Sequence, residues 1–394
     1  MVALKSSRIN SIDILRGVVM VIMALDHTRD FFHLNGLNYD PTNMDTTTPE
    51  LFFTRFITHF CAPVFIFLAG TSAFLYGSNK PKSTLAKFLF TRGLWLILVE
   101  VIFNNFFWFF DVTYSFIVLQ VIWVIGLCMV LLSAIIYLPK TVIIAFGLIL
   151  VFGHNLLDPI VHQGNSPSSI LWYILHQQSF VPYGVNRGLV FAYPLIPWVG
   201  VMALGYCFGS LFRKEINVQY RLNFLLKLGI WAIVLFFVIR VLNIYGDPVP
   251  WESQKDTTFT IMSFFNVSKY PPSLSYLLIT LGPAFLFLYF SEKWQGKVAS
   301  FFIVFGRVPF FYYLLHILVI HVLAILGLIL VGKDWHLLIL TIQQLGNPEL
   351  ANVGYSLEVV YLVWIFVIAL LYPICNKYMK YKLLNKHKLW LSYL

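Results

Sequence analysis

The chain has 394 residues, of which 59% are hydrophobic and only 11% are charged. Soluble domains average about 45–50% apolar and about 25% charged residues, so this composition excludes an ordinary water-soluble domain. The net charge of +10 does not indicate nucleic-acid binding, because most of the positive charge lies on one side of the predicted membrane. We predict an all-α polytopic membrane protein, a single domain over residues 1–394 with about ten transmembrane helices.

Runs of about 20 apolar residues, the length that crosses a bilayer, recur along the whole chain. The predicted spans are residues 14–32, 51–76, 84–110, 115–137, 141–158, 189–212, 222–245, 271–291, 300–331 and 355–376. The first span is not expected to be a cleavable signal peptide. It carries Arg16, Asp26 and His27, and no small-residue cleavage site follows it.

Two segments depart from a simple span. Segment 300–331 is long and contains Pro309, so we expect a short half-helix followed by a full span. Residues 168–180 are too short and too polar to span, and are predicted to form an interfacial or re-entrant helix. The predicted outer loops are residues 33–50, 159–188, 246–270 and 332–354.

Lysine and arginine are unevenly distributed over the connections between spans. One side holds 16 of them, namely Lys5, Arg8, Lys80, Lys82, Lys87, Lys140, Arg213, Lys214, Arg221, Lys293, Lys297, Lys377, Lys380, Lys382, Lys386 and Lys388. The other side holds four, namely Arg187, Lys255, Lys269 and Lys333. The positive-inside rule then predicts that both termini are cytoplasmic, which agrees with an even number of spans.

The cysteines give no sign of a disulfide framework. Cys61, Cys128, Cys207 and Cys375 each lie in an apolar segment, without the spacing of metal ligands. They are predicted to be small buried hydrophobic residues. No metal site is predicted.

Ionisable side chains inside spans are costly and mark functional sites by default. They are Arg16, Asp26, His27, Arg29, Asp30, Arg55, His59, Arg92, Glu100, Arg240, His316 and His321. His321 is expected to be structural. A shared depth in the outer half of the membrane predicts one polar cavity among His27, His59, Glu100, Asn104, Asn105, Gln120, Arg240 and His316.

Arg16 and His27 are eleven residues apart, and therefore project from one face of the first span, about 16 Å apart along the axis. This arrangement suits a long ligand with an anionic head near the cytoplasm and a reactive end near the outside. Two structural interpretations stay open: Arg16 as a positive-inside anchor, and His27 as a packing histidine. Asp30 follows His27 by three positions, so its carboxylate can reach the ring and fix its tautomer.

Two further pairs have the i, i+4 spacing of helix neighbours. They are Arg55 with His59, and Tyr312 with His316. Pro63 lacks the amide that would bond the carbonyl of His59, so a free acceptor is expected beside the cavity. His59 has a structural interpretation as well, as a buried packing histidine.

The sequence at these residues resembles a known family. The segments SIDILRGVVMVIMALDHTRDFF and THFCAPVFIFLAGTSAFLYG resemble bacterial relatives of the heparan-alpha-glucosaminide N-acetyltransferase catalytic domain, within the transmembrane acyltransferase superfamily. The spacing of Arg16 and His27 is similar to that of the membrane O-acyltransferases, and the segment FGRVPFFYYLLH, ending in His316, resembles their late tyrosine-rich helix. The lysosomal branch places its candidate histidine in the first luminal loop, where this chain has only His33. The catalytic assignment therefore follows the O-acyltransferase pattern.

The resemblance implies a bundle of ten or eleven helices that takes acetyl-CoA from the cytoplasm and acylates a sugar on the far side. His27 would be the general base or the nucleophile of a transient acyl-enzyme, with Asp30 orienting it and His59 beside it. Arg16 and Arg92 would bind the CoA phosphates, for which arginine has a suitable fork of donors. The substrate cavity would be lined by Asp26, Arg55, Glu100, Asn104, Arg240, Tyr312 and His316, with His59 and His316 toward the acceptor.

The leading hypothesis is thus an acyl-CoA-dependent acyltransferase of the bacterial inner membrane, with a sugar or glycan as acceptor partner. A secondary transporter with a polar intramembrane site and a non-catalytic scaffold are the alternatives. The absence of an internal sequence repeat disfavours the transporter, and the many intramembrane charges disfavour the scaffold. The acceptor, the choice between N- and O-acylation, and the oligomeric state stay open. The loop 246–270 fits either a sugar-binding lid or a solvated loop.

Overall fold

The computed structural model describes residues 9–392, so Lys5 and Arg8 of the predicted basic side lie outside the described residues. This part of the chain is mostly helical. The α-helices are α1 (Asn10–Phe32), α2 (Pro49–Thr58), α3 (Cys61–Gly77), α4 (Lys82–Val99), α5 (Asn105–Phe109), α6 (Val121–Ile135), α7 (Lys140–Gly153), α8 (Pro167–Leu175), α9 (Leu195–Phe208), α10 (Val218–Leu242), α11 (Thr257–Phe265), α12 (Leu274–Ser291), α13 (Lys297–Arg307), α14 (Pro309–Leu330), α15 (Ile342–Leu345) and α16 (Leu357–Leu384).

Seven helical segments among the described residues are long and apolar enough to cross a membrane. They are Pro49–Gly77, Lys140–Leu157, Leu195–Phe212, Val218–Leu242, Leu274–Ser291, Pro309–Leu330 and Leu357–Leu384. The chain is therefore a multi-pass membrane protein. The other three predicted spans lack this signature, because α1 and α4 carry several charged residues and α6 has 15 residues.

A small sheet corrects the prediction that the fold is all-α. Strands β1 (Phe116–Leu119), β2 (Ser179–Gly184) and β3 (Arg187–Phe191) lie in the order β1-β3-β2. Strand β3 pairs parallel with β1 and antiparallel with β2. Strands β1 and β3 are short apolar runs beside apolar helices, and periodicity does not separate such runs from a helix end.

Several helices are interrupted at polar or proline-containing positions. The predicted break in segment 300–331 is confirmed, since α13 ends at Arg307 and Pro309 is the first residue of α14. Helices α2 and α3 are separated at His59 and Phe60. Residues Glu100–Asn104 form a π-helical turn between α4 and α5, a feature that is frequent at functional sites.

The re-entrant segment is only partly as predicted. Helix α8 covers Pro167–Leu175, and strand β2 begins at Ser179. The prediction of a helix over residues 168–180 therefore extended the helix about five residues too far. Pro167 at the first helical position and the Ser166 side chain, which accepts a hydrogen bond from the Ser169 amide, fix the start of α8.

Helix α1 is the central element of the bundle and packs against α13 backbone to backbone. A Cβ atom on Gly17 would lie 1.9 Å from the carbonyl oxygen of Phe302, and one on Gly306 would lie 1.8 Å from that of Asp13. Small residues allow such close approach between helices in a membrane. This contact brings the start of α1 beside Arg307, which binds Asp13 at 3.2 Å.

The lysine-rich and arginine-rich connections meet at one end of the bundle, which we call the basic end. Lys82 donates to the Tyr137 carbonyl at 3.4 Å, and Lys140 to Ser210 at 2.6 Å. At the same end, Glu292 pairs with Arg221 and accepts a hydrogen bond from Ser11. These contacts gather the start of α1 with the connections between α3 and α4, α6 and α7, α9 and α10, and α12 and α13.

The loops that were predicted to face outside meet at the other end of the bundle, which we call the opposite end. His33 pairs with Tyr355 in an isolated bridge. Asn266 donates to the Thr42 carbonyl at 3.1 Å. Asn155 accepts from the Leu274 amide at 3.0 Å. The chain therefore has two chemically different ends, joined by α1.

Candidate active site

His27 lies in the second half of α1, where three side chains surround it. Its Nδ1 lies 3.3 Å from the carboxylate of Asp30, which confirms the predicted contact across one helical turn. The edge of Trp108 approaches the imidazole with ring centroids 4.8 Å apart, and the ring of His316 lies 5.3 Å away. A carboxylate only accepts hydrogen bonds, so the neutral tautomer that fits this contact has its proton on Nδ1 and a lone pair on Nε2.

A network of paired charges contacts His27 through Asp30. It consists of Asp26, Arg29, Asp30 and Arg55, and we call it the charged network. Arg29 binds Asp30 at 2.6 Å and Asp26 at 3.0 Å, and Arg55 binds the second oxygen of Asp26. Asp26 and Arg29 are almost fully buried. Buried charges persist when they are paired and hydrogen-bonded, so the network holds Asp30 as a carboxylate against His27.

The charged network is also the reason why this cluster is a poor metal site. Asp26, His27 and Asp30 lie close enough together to hold an ion. Both carboxylates, however, already bind guanidinium groups of Arg29 and Arg55. A divalent cation here would meet two fixed positive charges at short range, which opposes its binding.

His316 is the second histidine of the site and is fully buried in α14. Its Nδ1 lies 3.0 Å from the carbonyl oxygen of Tyr312, and its ring stacks on the Tyr312 ring with an interplanar angle of 1°. The predicted i, i+4 pairing is therefore present. Since the carbonyl accepts from Nδ1, Nε2 of His316 is an acceptor, and this atom has no protein partner within residues 9–392.

A mostly neutral polar group lies beside His316. It consists of Glu100, Asn104, Tyr312 and Tyr313, and we call it the open polar group. Asn104 donates to Glu100 at 2.8 Å and approaches the Tyr313 hydroxyl at 3.5 Å. Tyr313 contacts the His316 ring with centroids 5.6 Å apart. Among the described residues, Asn104 Oδ1 and the Tyr312 hydroxyl are buried without a hydrogen-bond partner. These atoms are available to a ligand.

His59 lies on the other side of Arg55, between α2 and α3. Its carbonyl accepts a hydrogen bond from the Tyr276 hydroxyl at 2.8 Å, so the free acceptor expected beside Pro63 is wrong. The rings of His59 and Tyr276 have centroids 5.3 Å apart, and Nδ1 of His59 is buried without a partner in the described part of the chain.

The structure places Arg240 in a different cluster from the histidines. Its guanidinium donates to the carbonyls of Phe264, Ser263, Asn266 and Val249 over 2.9–3.3 Å. The loop 246–270, which contains α11, is thus tied to the end of α10. We predicted that Arg240 lines the substrate cavity because of its depth in the membrane alone. Depth does not determine which face of the helix carries a side chain.

Asp247 reinforces this loop at the opposite end. Its carboxylate accepts hydrogen bonds from Ser273 at 2.6 Å and Ser268 at 3.0 Å. Burial raises the pKa of Asp247 above its usual value, although these hydrogen bonds oppose the rise. These hydrogen bonds tie the start of the loop to its end.

A cavity of about 350 Å³ leads from the basic end toward the histidines. Its mouth carries four cationic side chains, which are Arg16, Arg92, Arg307 and Lys382, and its inner walls are mostly apolar. Tyr313 lines this cavity and also contacts His316. Arg16 is held in place by Ser72 at 2.8 Å and by the Gly306 carbonyl at 3.1 Å. The two arginines predicted to bind a donor therefore share one cavity.

Arg16 also borders a larger cavity of about 920 Å³ at the basic end, together with Arg213 and Lys214. A third cavity, of about 1000 Å³, lies at the opposite end. It is lined by Arg29, His33, Tyr355 and parts of the loop 33–50. Arg29 binds Asp30, and Asp30 contacts His27. The outer cavity therefore lies next to the residues that hold His27.

Sequence reasoning missed several residues that build the site. Arg29 was recognised as an intramembrane charge but not as the partner that joins Asp26 to Asp30. Its spacing of three from Asp26 could have shown this. Trp108 and Tyr313 carry no signal in the sequence, because many aromatic residues lie in the same helices and only packing selects these two.

The arrangement around His27 is suited to general acid–base chemistry. The lone pair on Nε2 of His27 can accept a proton, and Asp30 stabilises the imidazolium that results. The positive mouth at the basic end suits an anionic group, because phosphate oxygens accept hydrogen bonds from arginine.

The comparison with known families identifies the family of the chain. Residues 8–245 match the family described as heparan-alpha-glucosaminide N-acetyltransferase, catalytic, and the match contains α1, α2 and α3. His316 and helices α11 to α16 lie beyond the matched segment. No curated protein matches the chain. Since the matched segment covers more than half of the 394 residues, the chain belongs to the heparan-alpha-glucosaminide N-acetyltransferase catalytic family, whose members are membrane acetyltransferases acting on glycan-type acceptors.

Proposed function

We propose that this protein transfers an acetyl or similar acyl group from acyl-CoA, bound at the basic end, to a sugar or glycan acceptor at the opposite end. The observation that carries the proposal is the position of His27 and His316 between two cavities. The inner cavity reaches them through Tyr313, and the outer cavity reaches them through Arg29 and Asp30.

The inner cavity fits the donor in charge and in shape. CoA carries phosphates on a long, largely neutral pantetheine arm that ends in the thioester. Arg16, Arg92, Arg307 and Lys382 supply cations at the mouth, where the phosphates would remain in contact with water. The arm would lie along the apolar wall toward Tyr313. The separation of about 16 Å between Arg16 and His27 along α1 is comparable with the reach of that arm.

In the transfer step, Nε2 of His27 takes the proton from an acceptor hydroxyl or amine. The acceptor oxygen or nitrogen then forms a bond with the thioester carbonyl carbon, and the carbon–sulfur bond breaks. The resulting imidazolium, stabilised by Asp30, returns the proton to the CoA thiolate. A transient acyl-His27 intermediate is the alternative route, since imidazole is also a nucleophile. Both routes leave the same products.

The side chains around His27 have supporting roles in this scheme. The unpartnered atoms of Tyr312, Asn104 and His316 line the place where the thioester carbonyl would enter. A hydroxyl such as that of Tyr312 can donate to the oxygen on which charge develops. His59 would contact the acceptor from the other side of Arg55, and the ordered loop 246–270 would cover it.

The membrane orientation belongs to the proposal. Ten spans in a single domain, with both termini and the basic end in the cytoplasm, would place acyl-CoA on its own side of a bacterial inner membrane. A cysteine at Ser253, in a background without the four native cysteines, should react with an impermeant maleimide in intact cells. A matched cysteine at Ser83, exposed at the basic end, should react only after lysis. The reverse pattern would contradict the orientation.

The activity itself is tested with purified protein in proteoliposomes and radiolabelled acetyl-CoA. We expect label to move to a sugar acceptor, or slow hydrolysis of the thioester when no acceptor is present. The His27→Ala variant should do neither. Uptake of labelled sugar into the vesicles, without any loss of the thioester, would instead favour a secondary transporter.

A further inference from the structure

A second cluster of metal-ligating side chains lies away from His27, where α7 ends at the opposite end of the bundle. His154 begins the short helix that follows α7, Asp158 comes directly after that helix, and His176 ends α8. One ligating atom from each of the three residues lies within 4.8 Å of the other two. The nearest pair is Nε2 of His176 and a carboxylate oxygen of Asp158, at 3.0 Å.

The hydrogen-bond capacity of this cluster is not satisfied by protein. His154 is 1% exposed and His176 is 2% exposed. Both ring nitrogens of His154 and Nδ1 of His176 have no partner among residues 9–392. A buried polar atom without a partner costs about 1–3 kcal/mol. Two fully buried imidazoles facing one carboxylate therefore point to a missing ligand.

We propose that His154, Asp158 and His176 bind a divalent transition-metal ion of the Zn²⁺ class. Zn²⁺ takes imidazole nitrogens and carboxylate oxygens in tetrahedral sites, with one position open to water when the protein supplies three ligands. Bonds of 2.0–2.1 Å imply distances of about 3.3 Å between ligand atoms. Atoms that already lie within 4.8 Å need only small side-chain rotations to reach this geometry. Binding replaces the proton between His176 and Asp158, which is released to solvent.

The surroundings of the cluster favour a cation. The Asn155 side chain donates to the second oxygen of Asp158 at 2.8 Å, and its own oxygen accepts from the Leu274 amide. Such outer contacts hold a ligating carboxylate in orientation. The C-terminal end of α7 adds the negative end of a helix dipole. In contrast to the charged network, the described part of the chain places no guanidinium on these ligands.

The bound ion would join three separate parts of the opposite end. His154 and Asp158 belong to the end of α7, His176 to the end of α8, and Asn155 connects the cluster to the start of α12. The ion would therefore fix α8 and the start of β2 against the bundle. This role is independent of the transfer chemistry at His27.

The test uses full-length protein, purified in detergent with a tag that contains no histidine and stripped with a chelator. We expect it to take up about one Zn²⁺ per chain, with a rise in the midpoint of thermal unfolding. Co²⁺ in place of Zn²⁺ should give the visible absorption of a tetrahedral site. Asp158→Asn, which changes only the charge of a ligand, should weaken Zn²⁺ binding at least about tenfold.

The matched control is His162→Asn. His162 contacts the other side of the same tryptophan, Trp172, that packs on His176, but it lies outside the cluster. This control should bind Zn²⁺ as the unmodified protein does. Equal Zn²⁺ content in the monodisperse double variant His154→Asn/His176→Asn, or no Zn²⁺ uptake by the unmodified protein, would overturn the assignment. Neither measurement depends on acyl transfer, so the metal site and the proposed function fail separately.

Discussion

The charged network and the open polar group both lie near His27, and they satisfy their polar atoms in different ways. In the charged network, Asp26, Asp30, Arg29 and Arg55 pair with one another. In the open polar group, a buried acceptor and a hydroxyl lack protein partners within the described residues. A charge in an apolar interior needs a counter-charge within the protein, because desolvation costs several kcal/mol per ion. A neutral polar atom costs less, and can be left for a substrate.

His27 lies next to both regions, and the difference in how they satisfy their polar atoms suits them to different roles. The charged network fixes the imidazole from the Nδ1 side, and the open polar group lies beside the space where the thioester would enter. In the proposed mechanism, the charged network positions the base, and the open polar group binds the thioester.

The largest effect is expected for His27→Ala. Loss of a general base lowers the rate about 10²–10⁴-fold, while the affinity for acyl-CoA should stay nearly unchanged because the cationic mouth is intact. Single-turnover transfer and equilibrium CoA binding measure the two quantities. The matched control is His336→Ala, an exposed histidine that lies outside the three cavities. Near-normal transfer by His27→Ala would move the base to His316 or His59.

Asp26→Asn tests the charged network and should affect stability more than chemistry. Removing one member of a buried ion pair costs about 3–5 kcal/mol, because the other charge stays buried without a partner. Arg29 and Arg55 would both lose a carboxylate. The free energy of unfolding in detergent, from denaturant titration, should fall by this amount.

The companion variant for that experiment is Asn104→Ala in the open polar group. It removes one hydrogen bond to the Glu100 side chain, for which a loss of about 1–3 kcal/mol is expected. Equal losses for the two variants would show that the distinction between paired charges and open polar atoms has no energetic basis.

The sequence predicts the local part of this site well and the long-range part poorly. The contact between His27 and Asp30 and the stacking of Tyr312 on His316 follow from spacings of three and four on a helix. The break before α14 follows from Pro309. These features depend on one helix at a time, so a periodic pattern contains them.

The features that failed depend on how distant elements meet. Arg240 was assigned to the cavity by depth, but the packing of α10 against the loop 246–270 directs it to four carbonyls. The cluster of His154, Asp158 and His176 spans 22 residues of sequence, without a motif. The sheet joins β1 to strands about 65 residues later in the chain. Neither spacing nor hydropathy contains this information.

Arg16→Ala should produce a smaller, selective effect on the donor. A charge-assisted hydrogen bond contributes about 1.5–3 kcal/mol, which corresponds to a loss of roughly tenfold or more in affinity for acyl-CoA. The KM for the acceptor should change little. Ser72→Ala is the control, because it removes a hydrogen bond to Arg16 but leaves the guanidinium at the mouth. Unchanged CoA affinity in Arg16→Ala would make this residue a topology anchor.

The smallest effect concerns Asp111, a carboxylate outside the spans that has hydrogen bonds in place of a counter-charge. It accepts from the amides and hydroxyls of Thr113 and Ser115 over 2.6–2.8 Å. Ser115 in turn accepts from the Gly188 and Ile342 amides, so Asp111 organises the start of β1. Burial alone would raise the pKa of Asp111, but the hydrogen bonds outweigh burial and hold the pKa below its ordinary value of 3.8.

A carboxyl whose pKa is lower in the folded state binds fewer protons there than in the unfolded chain, so it stabilises the fold at higher pH. The contribution of Asp111 is therefore complete above the unfolded pKa, near 3.8, and is lost as the pH falls through the folded pKa. Asp111→Asn should cost about 1–2 kcal/mol at neutral pH. The difference in unfolding free energy between this variant and the unmodified protein should shrink below about pH 4. A difference that stays constant from pH 7 to pH 3 would show that the geometry of the turn, and not its charge, fixes the sheet.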